Sequence, residues 1–154
     1  HVKARTLPSV LAVFRFEPRT LRGATAIVRD LQGQILDRSS AVLCCSRDCA
    51  PDGIERLRES TGTDGRFTII DATFDGGESR ERAPSGTFDT ILVSSGGIRL
   101  REHCLYLFAA AAEMNPDARL IYADQDQLDR DGRRIDPWFK PQFSGDAGRD
   151  RPRR

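Results

Sequence analysis

The sequence predicts an α/β fold with a mostly parallel sheet and helices on both of its faces. Short apolar segments rich in β-branched residues alternate with segments whose apolar residues recur at helical spacing. Glycine or proline stands at many of the junctions between these segments. Such an alternation favours a parallel sheet, because each crossover between parallel strands then lays a helix against the sheet.

Five apolar segments predict the strands. Each contains the β-branched or aromatic side chains that are typical of buried strands. The five segments cover residues 9–16, 41–45, 66–71, 88–93 and 119–123. Residues 128–135 add a small hairpin, because Asp131 and Gly132 form a dipeptide that is typical of a tight turn.

Three further segments predict helices between these strands. They cover residues 18–33, 51–62 and 101–114. Proline is tolerated at the first position of the first two helices, and glycine is the residue that most often ends a helix. The third helix is rich in alanine, the best helix former. Residues 75–82 are polar and contain glycine, which predicts a mobile loop.

Composition narrows the class of protein. The formal net charge is +1, so no overall field attracts nucleic acid, and nucleic acid is not an expected partner. No run of about 18 apolar residues exists, so we expect no transmembrane segment. Without an apolar leader at the N-terminus, we expect a cytoplasmic protein whose four cysteines are reduced.

Polar residues follow the predicted strands at the edge where α/β sheets bind ligands. Asp48 follows the second strand, where it either caps the next helix or contacts a nucleotide base or ribose. The Gly96-Gly97 pair follows the fourth strand. Two interpretations are open: the backbone N–H groups of the pair bind a phosphate, or the pair forms a turn that binds no ligand.

Asp124 and Asp126 follow the fifth predicted strand. They alternate with glutamines, so both carboxylates share one face if the backbone is extended. Carboxylate oxygens are the ligands that Mg²⁺ and Mn²⁺ prefer. The alternative is a polar loop in which the aspartates cap turns.

Residues 115–126 read Asn-Pro-Asp-Ala-Arg-Leu-Ile-Tyr-Ala-Asp-Gln-Asp. Residues 131–141 continue with Asp-Gly-Arg-Arg-Ile-Asp-Pro-Trp-Phe-Lys-Pro. Together they resemble a signature of bacterial family 2 glycosyltransferases of the rhamnosyltransferase and O-antigen type. That signature runs Pro-Asp-Ala, then an apolar strand ending Tyr-Ser-Asp-Glu-Asp, then Asp-Gly-Arg-Arg and Pro-Phe-Lys-Pro.

The resemblance implies a GT-A-like domain over residues 1–146 that is incomplete at its C-terminal side. It implies transfer of a sugar from a nucleotide-diphosphate sugar to a saccharide or lipid-linked acceptor in cell-surface polysaccharide synthesis. The implied nucleotide-sugar-binding residues are Phe16, Glu17, Ser46, Asp48, Ser94, Ser95, Gly96, Asp124 and Asp126. Mg²⁺ or Mn²⁺ would be held by Asp124 and Asp126.

The chain departs from the family pattern in two places. The fourth strand ends in Ser94 and Ser95 without the usual metal-binding acid, and the family's catalytic base lies further downstream than this chain extends. The alternative is therefore a non-catalytic nucleotide-sugar-binding or structural module of a larger glycosyltransferase. Residues 147–154 turn abruptly basic, which predicts a disordered tail and a truncation or frameshift.

Overall fold

The computed structural model describes residues 6–72, 84 and 86–140. The predicted loop at 75–82 and the predicted tail at 147–154 lie outside these residues. The chain divides into two compact units, His1–Ala118 and Arg119–Arg154. A single glycosyltransferase-like domain over residues 1–146 stays a prediction.

The first unit is built on a four-stranded sheet with the strand order β3-β2-β1-β4. Each neighbouring pair in this sheet is parallel. Its elements are β1 (Val10–Phe16), α1 (Pro18–Leu21), α2 (Ala24–Gln32), β2 (Ser39–Cys45), α3 (Pro51–Thr61), β3 (Phe67–Asp71), β4 (Thr90–Ser95) and α4 (Cys104–Met114). The prediction of an α/β fold with a parallel sheet flanked by helices is confirmed.

One face of the sheet carries the core of the first unit. Val10, Ala12, Phe14 and Phe16 alternate along β1, and none of them exposes any surface. They share a single apolar cluster with buried residues of every described helix. Successive side chains of a strand point to opposite faces, so this alternation sets which residues of β1 face the helices.

The opposite face of the sheet is more open among the described residues. Val13 is half-buried there, although its neighbour Val42 on β2 is buried. On β4 the side chains of Ile91 and Val93 are 62% and 74% exposed. Exposed β-branched residues on a parallel sheet are unusual, because such sheets are normally covered on both faces.

The first predicted helix is divided into two. We expected one helix over residues 18–33, but α1 ends at Leu21 and α2 begins at Ala24. Gly23 stands between them, and its carbonyl accepts the N–H groups of Ala26 and Ile27 to begin α2. Glycine is unfavourable inside a helix, which explains why the chain breaks there.

Asp30 of α2 and Gln34, two residues after the end of α2, hold the segment that joins β4 to α4. Both carboxylate oxygens of Asp30 accept the Arg99 guanidinium, at 2.8 and 2.9 Å, and one also accepts the Leu100 N–H. Gln34 donates to the carbonyl of Arg101 at 2.8 Å and accepts the N–H of Leu105 at 3.0 Å. This anchoring places the start of α4 three residues later than predicted.

Hydrogen bonds of Asp89 connect the start of β4 to the start of β1. Its carboxylate accepts the backbone N–H of Ser9 at 2.9 Å and the Ser9 hydroxyl at 3.0 Å. Its own N–H donates to the same hydroxyl oxygen at 3.1 Å. The backbone hydrogen bond from Ser9, followed by the hydroxyl bond, lowers the pKa of Asp89 below its usual value.

All described helices of the protein are short. The longest, α3 and α4, have 11 residues each. A helix needs about 20 residues to cross a bilayer. None of the described helices is long and apolar enough to do so.

The second unit contains a hairpin formed by β5 (Gln125–Leu128) and β6 (Arg134–Trp138), which are antiparallel. The predicted hairpin is therefore confirmed, and its turn is held by Asp129. The Asp129 carboxylate accepts the N–H groups of Asp131 and Arg133, both at 2.8 Å. Gly132 adopts a φ of 76°, which favours glycine.

The predicted strand over residues 119–123 is wrong. The described residues there pair with no strand, and the strand content of this unit begins at Gln125. A strand forms only where a neighbour completes its ladder of hydrogen bonds, and apolar composition alone does not supply that neighbour. Leu120 is accordingly 67% exposed.

Replacement of Gln34 by leucine is expected to destabilise the first unit by about 2–4 kcal/mol. The substitution leaves the N–H of Leu105 and the carbonyl of Arg101 without their partner at a buried site. Urea unfolding of Gln34→Leu measures this loss. The exposed Gln127→Leu variant is the control, and equal unfolding of both variants would contradict the anchoring role.

Removing the charge of Asp89 is expected to make the free energy of unfolding depend less on pH in the acid range. The folded-state pKa lies below the unfolded value, so the stabilisation is present above about pH 4 and is lost as the pH falls through the folded pKa. We expect the unfolding free energy of the wild type to fall more steeply than that of Asp89→Asn between about pH 5 and pH 3.

Asp117→Asn serves as the control for this pH titration, because Asp117 is an exposed carboxyl of the same unit. Unfolding is measured in urea at each pH. Parallel curves for the wild type and Asp89→Asn would show that the Ser9 contact does not couple folding to protonation.

Candidate functional site

The carboxyl ends of the four parallel strands meet at one edge of the first sheet. Along the chain, β1, β2 and β3 are added in one direction, and β4 is then added on the other side of β1. The order of strands therefore reverses between β1 and β4. In doubly wound α/β folds such a reversal marks the position where ligands bind.

Backbone hydrogen bonds continue the sheet beyond the last strand residues. The N–H of Ser46 donates to the carbonyl of Phe16 at 2.9 Å, and the N–H of Gly96 donates to the carbonyl of Arg15 at 2.6 Å. These bonds hold the turns after β2 and β4 against the end of β1. The Gly96 N–H is thus engaged within the sheet.

Phe16 lies below this edge and not on it. Its ring is fully buried in the core. Its carbonyl accepts the thiol of Cys49 at 3.6 Å in addition to the Ser46 N–H. Ser46 also lies 3.6 Å from the Cys49 sulfur. Phe16 therefore supports the site from beneath, since no atom of its side chain reaches the surface.

Gly96 allows the turn after β4 to approach the turn after β1. A Cβ atom at this position would lie 2.5 Å from Cδ1 of Phe16 and 2.9 Å from the hydroxyl of Thr20. Gly97 follows with a φ of 78°. Close packing requires Gly96 and backbone conformation favours Gly97, which agrees with the turn interpretation of the pair.

Four of the predicted polar residues surround this edge. Glu17 and Asp48 are exposed after β1 and β2, and Ser95 is exposed at the end of β4. Ser94 is half-buried, and its hydroxyl donates to the carbonyl of Ser95 at 3.0 Å. Because all four strands end here, the fold brings these separated residues to one edge of the sheet.

Asp48 does not cap helix α3. The N-cap residue is Ala50, and the helix start has no side-chain capping bond. The capping alternative for Asp48 is therefore wrong. Its carboxylate is exposed, so the predicted contact with a nucleotide base or ribose stays a prediction.

Arg15 lies at this edge, and the sequence interpretation gave it no binding role. It is exposed and lies one position before the buried Phe16, so its side chain belongs to the open face of the sheet. It is aligned with Cys44 on β2 and Ser95 on β4. The available signal was a lone charged residue inside an apolar strand.

Asp124 and Asp126 belong to the second unit, where both carboxylates have partners. Asp124 accepts the backbone N–H of Lys140 at 2.8 Å. Asp126 forms an ion pair with Arg134 at 2.8 Å. A register shift lies between Gln125 and Gln127, where the regular ladder of the hairpin is interrupted.

The donor groups of the described residues do not form an evident metal centre. No cluster of three or more histidine, cysteine, aspartate or glutamate side chains suited to a metal ion occurs among them. In the hairpin, the Arg134 guanidinium already neutralises Asp126. At the first sheet, β4 ends in hydroxyl groups and not in carboxylates.

Comparison with known proteins shows a partial similarity to a bacterial protein. The chain is 32% identical over 102 residues to the O-antigen biosynthesis protein RfbC of Myxococcus xanthus. The match includes 63% of this chain and 8% of that protein, so the chain spans a small fraction of its relative's length. No family model matches the chain.

Replacement of Gly96 by alanine is expected to destabilise the first unit by about 1–3 kcal/mol. The added methyl group overlaps the Phe16 ring, which is buried and has no space to move. Urea unfolding measures the loss. Gly65→Ala is the matched control, because a Cβ atom at Gly65 would meet nothing within 4 Å.

The double variant Phe16→Leu/Gly96→Ala tests the cause of this destabilisation. Leucine removes the edge of the ring that the methyl group would meet, so the two substitutions should be less destabilising together than the sum of their separate effects. Strict additivity would mean that the Phe16 contact is not the source of the loss.

Proposed function

We propose that this chain is the donor-binding part of a glycosyltransferase of cell-surface polysaccharide synthesis. It would bind a nucleotide-diphosphate sugar whose sugar is transferred to a saccharide or lipid-linked acceptor. The observation that carries the proposal is the 32% identity to an O-antigen biosynthesis protein over 102 residues. The α/β fold with a strand reversal at β1 and β4 supports it.

The proposed donor site is the carboxyl edge of the first sheet. Asp48, exposed after β2, is suited to hydrogen-bond a base or ribose. Ser94 and Ser95 lie at the strand reversal, where hydroxyl groups suit the diphosphate or the sugar. Glu17 lies beside them after β1, and the buried Phe16 acts through the position of its neighbours.

Asp124 and Asp126 enter the proposal through the signature alone. Both are already engaged within the hairpin, where Lys140 and Arg134 are their partners. Their part in donor binding stays a prediction of that signature. Separating Asp126 from its partner costs more free energy than separating Asp124 from its own, because the partner of Asp126 is a charged guanidinium.

A second function is a non-catalytic nucleotide-sugar-binding module of a larger glycosyltransferase. One observation favours it: β4 ends without a carboxylate. Transfer to an acceptor hydroxyl requires a general base, and the geometry of the described residues assigns none. Donor binding is common to both functions.

Calorimetric titration of UDP, dTDP and GDP into the purified chain tests donor binding. We expect one of the three nucleotides to bind, and Asp48→Ala to weaken that nucleotide by about tenfold, because a hydrogen bond to a charged group is lost. Asp117→Ala is the matched control on an exposed carboxyl. No heat from a folded sample with any of the three nucleotides would refute the proposal.

Release of nucleoside diphosphate from the matching sugar donor separates the two functions. An enzyme releases the nucleotide in the presence of an acceptor saccharide, whereas a binding module retains the intact donor. The assay is followed by chromatography of the nucleotide, with heat-denatured chain as the blank.

A further inference from the structure

The end of β4 carries no negatively charged side chain. A divalent ion bound by carboxylates there would neutralise the diphosphate of a sugar donor. In this chain Ser94 and Ser95 occupy that position, and neither hydroxyl carries a negative charge to hold such an ion. The donor groups at the strand reversal therefore do not fit Mg²⁺ or Mn²⁺.

A positive charge is nevertheless present at the same place. Arg15 is the penultimate residue of β1 and is exposed. Its backbone is aligned with Ser95 on the neighbouring strand β4. Adjacent parallel strands lie about 4.8 Å apart, so the two side chains stand next to each other on the open face.

The Arg15 guanidinium is free to bind a ligand. Within the described part of the chain it makes no ion pair and no side-chain hydrogen bond. Its backbone is fixed, because β1 is paired on both sides and the Arg15 carbonyl accepts the Gly96 N–H. A cation on a rigid central strand can bind a ligand without first ordering the backbone, which lowers the entropy cost of binding.

We propose that Arg15 binds the diphosphate of the nucleotide-sugar donor directly, with the Ser95 hydroxyl as a second donor and without a divalent ion. This inference rests on the proposed donor-binding function. Guanidinium groups bind phosphate oxygens with two parallel N–H···O bonds, which a lysine ammonium does not reproduce. One cation at the strand reversal thus replaces the charge that a metal ion would supply.

The geometry also predicts which part of the donor depends on Arg15. Asp48 follows β2, whereas Arg15 and Ser95 lie on β1 and β4. The base and ribose are assigned to the β2 side and the diphosphate to the strand reversal. Loss of Arg15 should therefore weaken the binding of nucleoside diphosphates and leave the binding of nucleosides unchanged.

Calorimetric titration of UDP, dTDP and GDP in EDTA tests the inference on the wild-type chain, Arg15→Ala and Arg15→Lys. We expect the preferred nucleotide to bind the wild type equally well in EDTA and in Mn²⁺. Arg15→Ala should weaken it by about 10- to 100-fold, and Arg15→Lys by less. The corresponding nucleoside is titrated as a ligand without phosphate.

Arg56→Ala is the matched control, since Arg56 is an exposed arginine in the middle of α3. It should bind like the wild type. Urea unfolding of each variant confirms that the fold is kept, which is expected because Arg15 is exposed.

The outcomes separate this inference from the function on which it rests. If the wild type binds a nucleotide and Arg15→Ala binds it equally well, the inference is overturned and donor binding stands. Binding that requires Mn²⁺ also overturns it. If the wild type binds none of the three nucleotides, donor binding itself fails and the inference fails with it.

Discussion

The contact between the Phe16 ring and the backbone of Gly96 is the constraint on which the carboxyl edge of the first sheet depends. It lets the turn after β4 approach the turn after β1, and the Gly96 N–H then reaches the carbonyl of Arg15. The Phe16 carbonyl in turn accepts the Ser46 N–H after β2. The ends of β1, β2 and β4 are thus held around one buried aromatic residue. This packing fixes the positions of the exposed polar groups at the edge.

Two adjacent residues of β1 have opposite roles because a strand directs successive side chains to opposite faces. Phe16 is buried beneath the edge, whereas Arg15 is exposed on it. The resemblance to family 2 glycosyltransferases implied Phe16 as a binding residue and did not mark Arg15. Which of two neighbours faces a ligand depends on the register of the whole sheet, and pairing partners as distant as Cys44 and Ser95 are not visible in local sequence.

Strong local signals made most of the fold predictable. The apolar runs of β1 to β4 and the Asp131-Gly132 turn were sufficient for the strands and the hairpin. Predictions were wrong where a non-local partner decides the outcome. Residues 119–123 have strand composition and no ladder partner among the described residues. The late start of α4 follows from Gln34, which lies far away in sequence. The sequence predicts which residues lie at the ends of strands. Which of their side chains is exposed to a ligand depends on packing, which the local sequence does not show.

The bond between Ser9 and Asp89 has a consequence for synthesis of the protein on the ribosome. The two residues are 80 positions apart, so β1 lacks its β4 neighbour until those residues have been translated. At about 5–20 residues per second this takes about 4–16 seconds. During that interval β1 can pair only with β2, and the edge of β1 that β4 later covers stays open. The hairpin of β5 and β6 closes within a few residues instead, on a timescale of about 1–10 μs. Until β4 is made, the open edge of β1 can therefore pair with a strand of another chain.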